Sequence, residues 1–172
     1  MKVFIFLLLA TFLTSCDGCD NDPPPKTEIE KLPPATQEGK NTFGCLVNGK
    51  AWVTKTSIDA NAVYQLGALL VTGQIQETTG LQNIQLNILE NVIANQQYDL
   101  TDDPKYHGKF AWSRDEGICF YEGENTLSGQ LTLTKFDQSN RIASGVFEFI
   151  TVVSGCDTIR ITDGRFDLIY SD

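Results

Sequence analysis

From residue 42 onward the chain alternates apolar and polar side chains with a period of two. Asn83-Ile84-Gln85-Leu86-Asn87-Ile88 does so without a break, and Gln130-Leu131-Thr132-Leu133-Thr134 repeats the pattern. Phe147-Glu148-Phe149 and Thr158-Ile159-Arg160-Ile161-Thr162 follow it too. Arg165-Phe166-Asp167-Leu168-Ile169-Tyr170 places Phe166, Leu168 and Tyr170 on one face. Such alternation sets one face of a strand against a core and the other in water. Asn48-Gly49 and Asp163-Gly164 are dipeptides that favour type I′ hairpins, whose two central residues both need positive φ. No stretch repeats apolar residues at i, i+3, i+4 and i+7 over three turns. The expected fold is therefore all-β and mostly antiparallel, a sandwich or partly closed barrel of about eight to ten strands. Candidate strands are 43–48, 50–55, 62–66, 68–76, 82–90, 106–113, 117–121, 127–136, 142–153, 157–162 and 165–171. Phe43, Trp52, Phe147, Phe149, Phe166 and Tyr170 are expected in the core.

The first 41 residues follow different rules. Lys2 precedes an apolar run from Val3 to Leu13, and Leu13-Thr14-Ser15-Cys16 closes it. This is the order of an export signal, and the run is too short for a bilayer core that needs ~20 residues. Leu-Thr-Ser-Cys resembles the lipobox of bacterial lipoproteins. That resemblance implies cleavage before Cys16 and a lipid on its sulfur, so residues 1–15 are signal and Cys16 is the membrane anchor. Five of the six prolines fall between Asp17 and Asn41, among Asp, Glu, Lys, Thr and Gly. A segment with so little apolar surface is expected to stay disordered. As polyproline II it would reach at most ~75 Å at roughly 3.1 Å per residue. The organisation expected is thus signal (1–15), lipidated cysteine and tether (16–41), and all-β domain (42–172).

Charge narrows the partners. The chain carries 13 Lys and Arg against 22 Asp and Glu, and losing Lys2 leaves 12. A strongly acidic chain repels nucleic acid, which is bound through Lys and Arg patches. The acidic run Cys16-Asp17-Gly18-Cys19-Asp20-Asn21-Asp22 resembles the surface-export signal of Bacteroidetes lipoproteins. It implies display outside the outer membrane, with the periplasmic face as the alternative.

Exported chains are permitted disulfides. Cys45 begins the first strand and Cys156 precedes the last, so the two meet if those strands are neighbours. That closure spans more than 100 residues and is worth about 4.7 kcal/mol on the chain-entropy estimate. Cys119 with Cys156 is the alternative pairing. No zinc site is expected, because the folded domain has no C-x-x-C and the chain has one histidine, His107. No nucleophile elbow or phosphate-binding loop occurs, and His107 is expected as a surface or edge residue. Asp99, Asp102 and Asp103 depart from the EF-hand spacing and read as turn chemistry. No catalysis, metal or cofactor is expected.

The aromatics of the least regular region, 98–123, lie beside acidic residues. Tyr98, Tyr106, Trp112 and Tyr121 are the candidate ligand contacts there, for stacking on a sugar ring or anchoring a protein. Packing inward is the competing reading, as the alternation at Phe110 and Trp112 indicates.

Thr42-Phe43-Gly44-Cys45-Leu46-Val47-Asn48-Gly49-Lys50-Ala51-Trp52 opens the domain. Ile142 to Phe149 and Ile161-Thr162-Asp163-Gly164-Arg165-Phe166-Asp167 stand near its end. These motifs resemble an uncharacterised family of Bacteroidetes lipoproteins, over residues 42–171. The resemblance implies an all-β domain behind a lipobox and no assigned activity. The expected function is a lipid-anchored binding module for a glycan or a protein. A periplasm-facing accessory protein and a small-ligand barrel are the alternatives.

Overall fold

Eleven strands carry the alternating segments in the computed structural model, which describes residues 25–172 apart from 79, 115 and 116. Cys16, Cys19 and the export signal lie outside the described residues. The strands are β1 (Thr42–Val47), β2 (Lys50–Val53), β3 (Ala60–Gln65), β4 (Ala68–Glu77), β5 (Gly80–Ile88) and β6 (Gln96–Asp99). They continue as β7 (Tyr106–Arg114), β8 (Gly117–Tyr121), β9 (Thr126–Asp137), β10 (Ile142–Thr151) and β11 (Ile159–Ser171). Two 3-10 turns, Ile29–Lys31 and Gly123–Asn125, are the helical elements among the described residues.

Pairing runs β6-β9-β10-β11-β1-β2 in one layer and β3-β4-β5-β7-β8 in the other. The layers are joined where Tyr170 and Ser171 of β11 pair in parallel with Ala62 and Val63 of β3, the single parallel ladder among the described residues. The sheet is mixed and does not close into a barrel, so the architecture is sandwich-like. Between the layers lie Phe43, Trp52, Phe147 and Phe166, which pack ring against ring, with Leu69, Val71, Ile84, Leu86 and Phe110 opposite. All six aromatics expected in the core are buried.

Three expectations need correction. Asp163-Gly164 is not a hairpin turn. Only Asp163 takes a positive φ, 52°, whereas a type I′ turn needs two such residues. The result is a bulge inside one thirteen-residue strand, at the register shift between Phe147 and Phe149. Asn48-Gly49 has both, 49° and 78°, and does turn β1 into β2.

Cys45 does not pair with Cys156. The premise held, since β1 and β11 are neighbours, but Cys45 sits between the pairs Gly44↔Arg165 and Leu46↔Thr162. Cys156 lies at least six residues further along, about 20 Å of extended chain away. It bonds instead to Cys119 of β8, with Cα atoms 6.2 Å apart. Cys45 is a free, buried thiol, and burial pushes its pKa up.

The tether expected to Asn41 is docked from Glu28 onward. Glu28 accepts the N–H of Ala51 on the open edge of β2 at 2.8 Å. Leu32 is buried, and Pro33 lies over Gly44, where a Cβ would come within 2.7 Å of the proline ring. Asp167 then gathers the strap. Its carboxylate accepts Thr36 Oγ1 at 2.6 Å, the N–H groups of Glu38 (3.0 Å), Gly39 (2.8 Å) and Lys40 (3.1 Å), and Ser144 Oγ at 2.8 Å. Burial alone would raise this carboxyl, but those donors hold it at about 2.

Candidate binding groove

The β1–β2 hairpin stands over the ends of β4, β5 and β7, and the gap between them is a groove of about 370 Å³. Val47, Trp52, Ile75 and Ile159 give it apolar walls, and Lys50 and Glu77 are exposed at its rim. Ladder register explains the far wall. Ile75 pairs with Gln82, Gln82 with Trp112, and Trp112 with Cys119, so four side chains from β4, β5, β7 and β8 stand in one row on the inner face. The Cys119–Cys156 bond ties the end of that row to the loop before β11.

Gln82 is the unusual member. It falls in the core phase set by Ile84, Leu86 and Ile88, and it is 9 % exposed. The indole N–H of Trp52 donates to Gln82 Oε1 at 2.8 Å. Indole is a donor only, so this bond fixes which end of the amide is oxygen. No protein acceptor among the described residues takes the Nε2 hydrogens. Gln82 lines the open groove, where water or a ligand oxygen can accept them. A ligand acceptor would take the place of that water. The groove thus combines a half-buried Trp112, two amide hydrogens, an ammonium and a carboxylate. Its volume is in the range of small-molecule sites.

The four aromatics picked from the sequence do not converge. Tyr98 is 1 % exposed and cannot contact a ligand. Its hydroxyl accepts Ile93 N–H and donates toward Asn91 and Ile93 carbonyls, and its ring lies 4.9 Å from that of Tyr106. Tyr121 is equally buried, packs on Phe110 at 5.7 Å and donates to the Asp157 carbonyl at 2.6 Å. Tyr106 and Trp112 stand six residues apart on β7, about 20 Å. Of the four, Trp112 alone lines the groove. Sequence reasoning missed Gln82, although a glutamine in the core phase of a strand was a readable signal.

His107 is buried, not superficial. Nδ1 donates to Asp103 at 3.0 Å and to the Pro104 carbonyl at 3.2 Å, which leaves Nε2 to accept from Asn87. Burial lowers its pKa, with Asp103 opposing. Nδ1 thus holds the 103–104 turn, and Nε2 ties the ring to β5. Asp99 likewise binds Thr101 through its side chain, as turn chemistry requires.

Neither a family model, nor a curated protein, nor a solved structure matches this chain.

Proposed function

We propose that the domain is a binding module, held on the outer face of the outer membrane through lipidated Cys16, that takes a glycan ring in the Trp112–Gln82 groove. The observation that carries this reading is the Gln82 amide, oriented by Trp52 and lining the same groove as Trp112. Sugar hydroxyls and acetamido carbonyls supply such acceptors, and tryptophan supplies the apolar face that a ring needs. The lipobox-like Leu13-Thr14-Ser15-Cys16 and the acidic run after it support the location. No chemistry is performed on the ligand.

The chain has two tryptophans, Trp52 and Trp112, and both line the groove. Intrinsic fluorescence therefore reports occupancy directly. Titration with a panel of neutral and N-acetylated oligosaccharides should shift the emission for at least one of them. Trp112→Ala should abolish binding in a variant that still folds, with a lower unfolding midpoint because Trp112 packs against the core. Unchanged affinity in the folded variant would sink the proposal.

A second reading, a protein partner along the β8 edge, is favoured by one observation. Ile118 and Phe120 are 55 % and 57 % exposed there, with Leu81 nearby on the same outer face.

A further inference from the structure

The docked strap changes what the groove can reach. From Cys16 to Glu28, the first residue bonded to the sheet, there are twelve residue steps, which span at most ~40 Å. The full tether to Asn41 would have allowed more than twice that. The chain also enters the domain at a defined place. Glu28 bonds the N–H of Ala51, and Ala51 is flanked by Lys50 and Trp52 in the groove wall. From there the strap runs away from the groove, over Gly44 and on to Asp167. The opposite tip of the domain is the β3–β4 turn, where Leu66 is fully exposed. Ala68 at that turn lies seven residues along β4 from Ile75 of the groove, about 23 Å.

We infer that the groove opens at the anchored end of the domain and that its ligand is the glycan headgroup of a lipid in the same membrane. This rests on the lipid-anchored glycan-binding reading above. A groove of this size suits one or two sugar rings better than a protein interface, which needs about 800 Å² on each partner. Confinement supplies the rest. A short tether holds the groove at a high effective concentration of anything on that surface, so a weak intrinsic affinity suffices. The aromatic side chain of Trp112 then favours a sugar ring over a bare phospholipid headgroup, while the Gln82 donors can serve either.

The test uses the full lipidated chain in vesicles of phospholipid with or without a labelled outer-membrane glycolipid. A photoreactive benzoylphenylalanine replaces either Lys50 or Leu66, both exposed side chains. Crosslinks to the glycolipid from position 50 and not from position 66 are expected. A twenty-residue Gly/Ser insertion after Pro24 should reduce them roughly fourfold, following the −3/2 power of tether length. Equal crosslinking from both positions overturns the orientation. Crosslinks from position 50 to phospholipid alone overturn the ligand class, as does a groove that binds free oligosaccharide in solution but no glycolipid in the vesicle. A chain that washes off the vesicles overturns the anchoring reading itself, and this inference with it.

Discussion

Asp167→Asn is nearly isosteric and tests what holds the strap. The native carboxylate is 1 % exposed and accepts five hydrogen bonds, three of them from consecutive backbone N–H groups of 38–40. Asparagine offers one acceptor oxygen and turns an NH2 group toward donors. Holding the carboxyl at about 2 instead of 3.8 contributes roughly 2.5 kcal/mol at neutral pH. Thr36 and residues 38–40 are partly or fully exposed and regain water, so the loss should be about 3 kcal/mol. For a domain of this size that is a fall in Tm of roughly 10 °C. The sign follows from the depressed acid. Its contribution is complete above pH 3.8 and is lost as pH falls toward 2. Urea unfolding at pH 7 and at pH 3 should therefore show a large gap between native chain and variant at pH 7 and a smaller one at pH 3. Amide exchange at Glu38, Gly39 and Lys40 should accelerate in the variant. A difference under 0.5 kcal/mol at pH 7, or a gap that does not narrow in acid, would refute the reasoning.

Other expectations concern the disulfide and two buried side chains. Cys119→Ser with Cys156→Ser should cost about 4 kcal/mol for a closed loop of 37 residues, read by denaturant midpoints. Cys45 should stay unreactive to thiol reagents until the domain unfolds. A Cys45–Cys156 peptide in a non-reducing digest would contradict the pairing. Because burial lowers the His107 pKa, its neutral form is favoured in the fold, and stability should decline as pH falls through 6.5. His107→Gln should remove that slope, and an NMR titration should place the imidazole below 6.5. Tyr98→Phe should destabilise by about 1–3 kcal/mol through its lost hydroxyl bonds, with unchanged ligand affinity in the groove.

Much of the fold was legible because strand alternation is local. Ile84, Leu86 and Ile88 show their buried face to any reader of the sequence, and Asn48-Gly49 shows its turn. β6 was missed because Gln96-Gln97-Tyr98-Asp99 has no alternation beyond Tyr98 and pairs with β9 alone. Asp163-Gly164 looks like a turn in isolation, but its flanks stay paired with β10 and β1 on both sides of the bulge. The strap was read as disordered because its partners are remote. Thr36 and Asp167 stand 131 residues apart, and nothing in the composition of 26–41 records that contact. The disulfide failed on register, which strand adjacency does not reveal. At the site, Trp112 was chosen by residue type, whereas Tyr98 and Tyr121 belong to the core by the same alternation that buries Phe110. Gln82 was visible as a polar residue in an apolar phase. Its meaning needed Trp52, thirty residues away, to fix the amide.

The most direct test is an NMR titration of the folded domain with the N-acetylated and neutral oligosaccharide panel, following the Gln82 side-chain amide and the two indole N–H signals. The account predicts that the Gln82 Nε2 protons and the Trp112 indole shift together on binding, while the Tyr98 and Tyr121 environments stay fixed. Shifts confined to the Ile118–Phe120 face, or a Gln82 amide unmoved by any sugar in the panel, would contradict it.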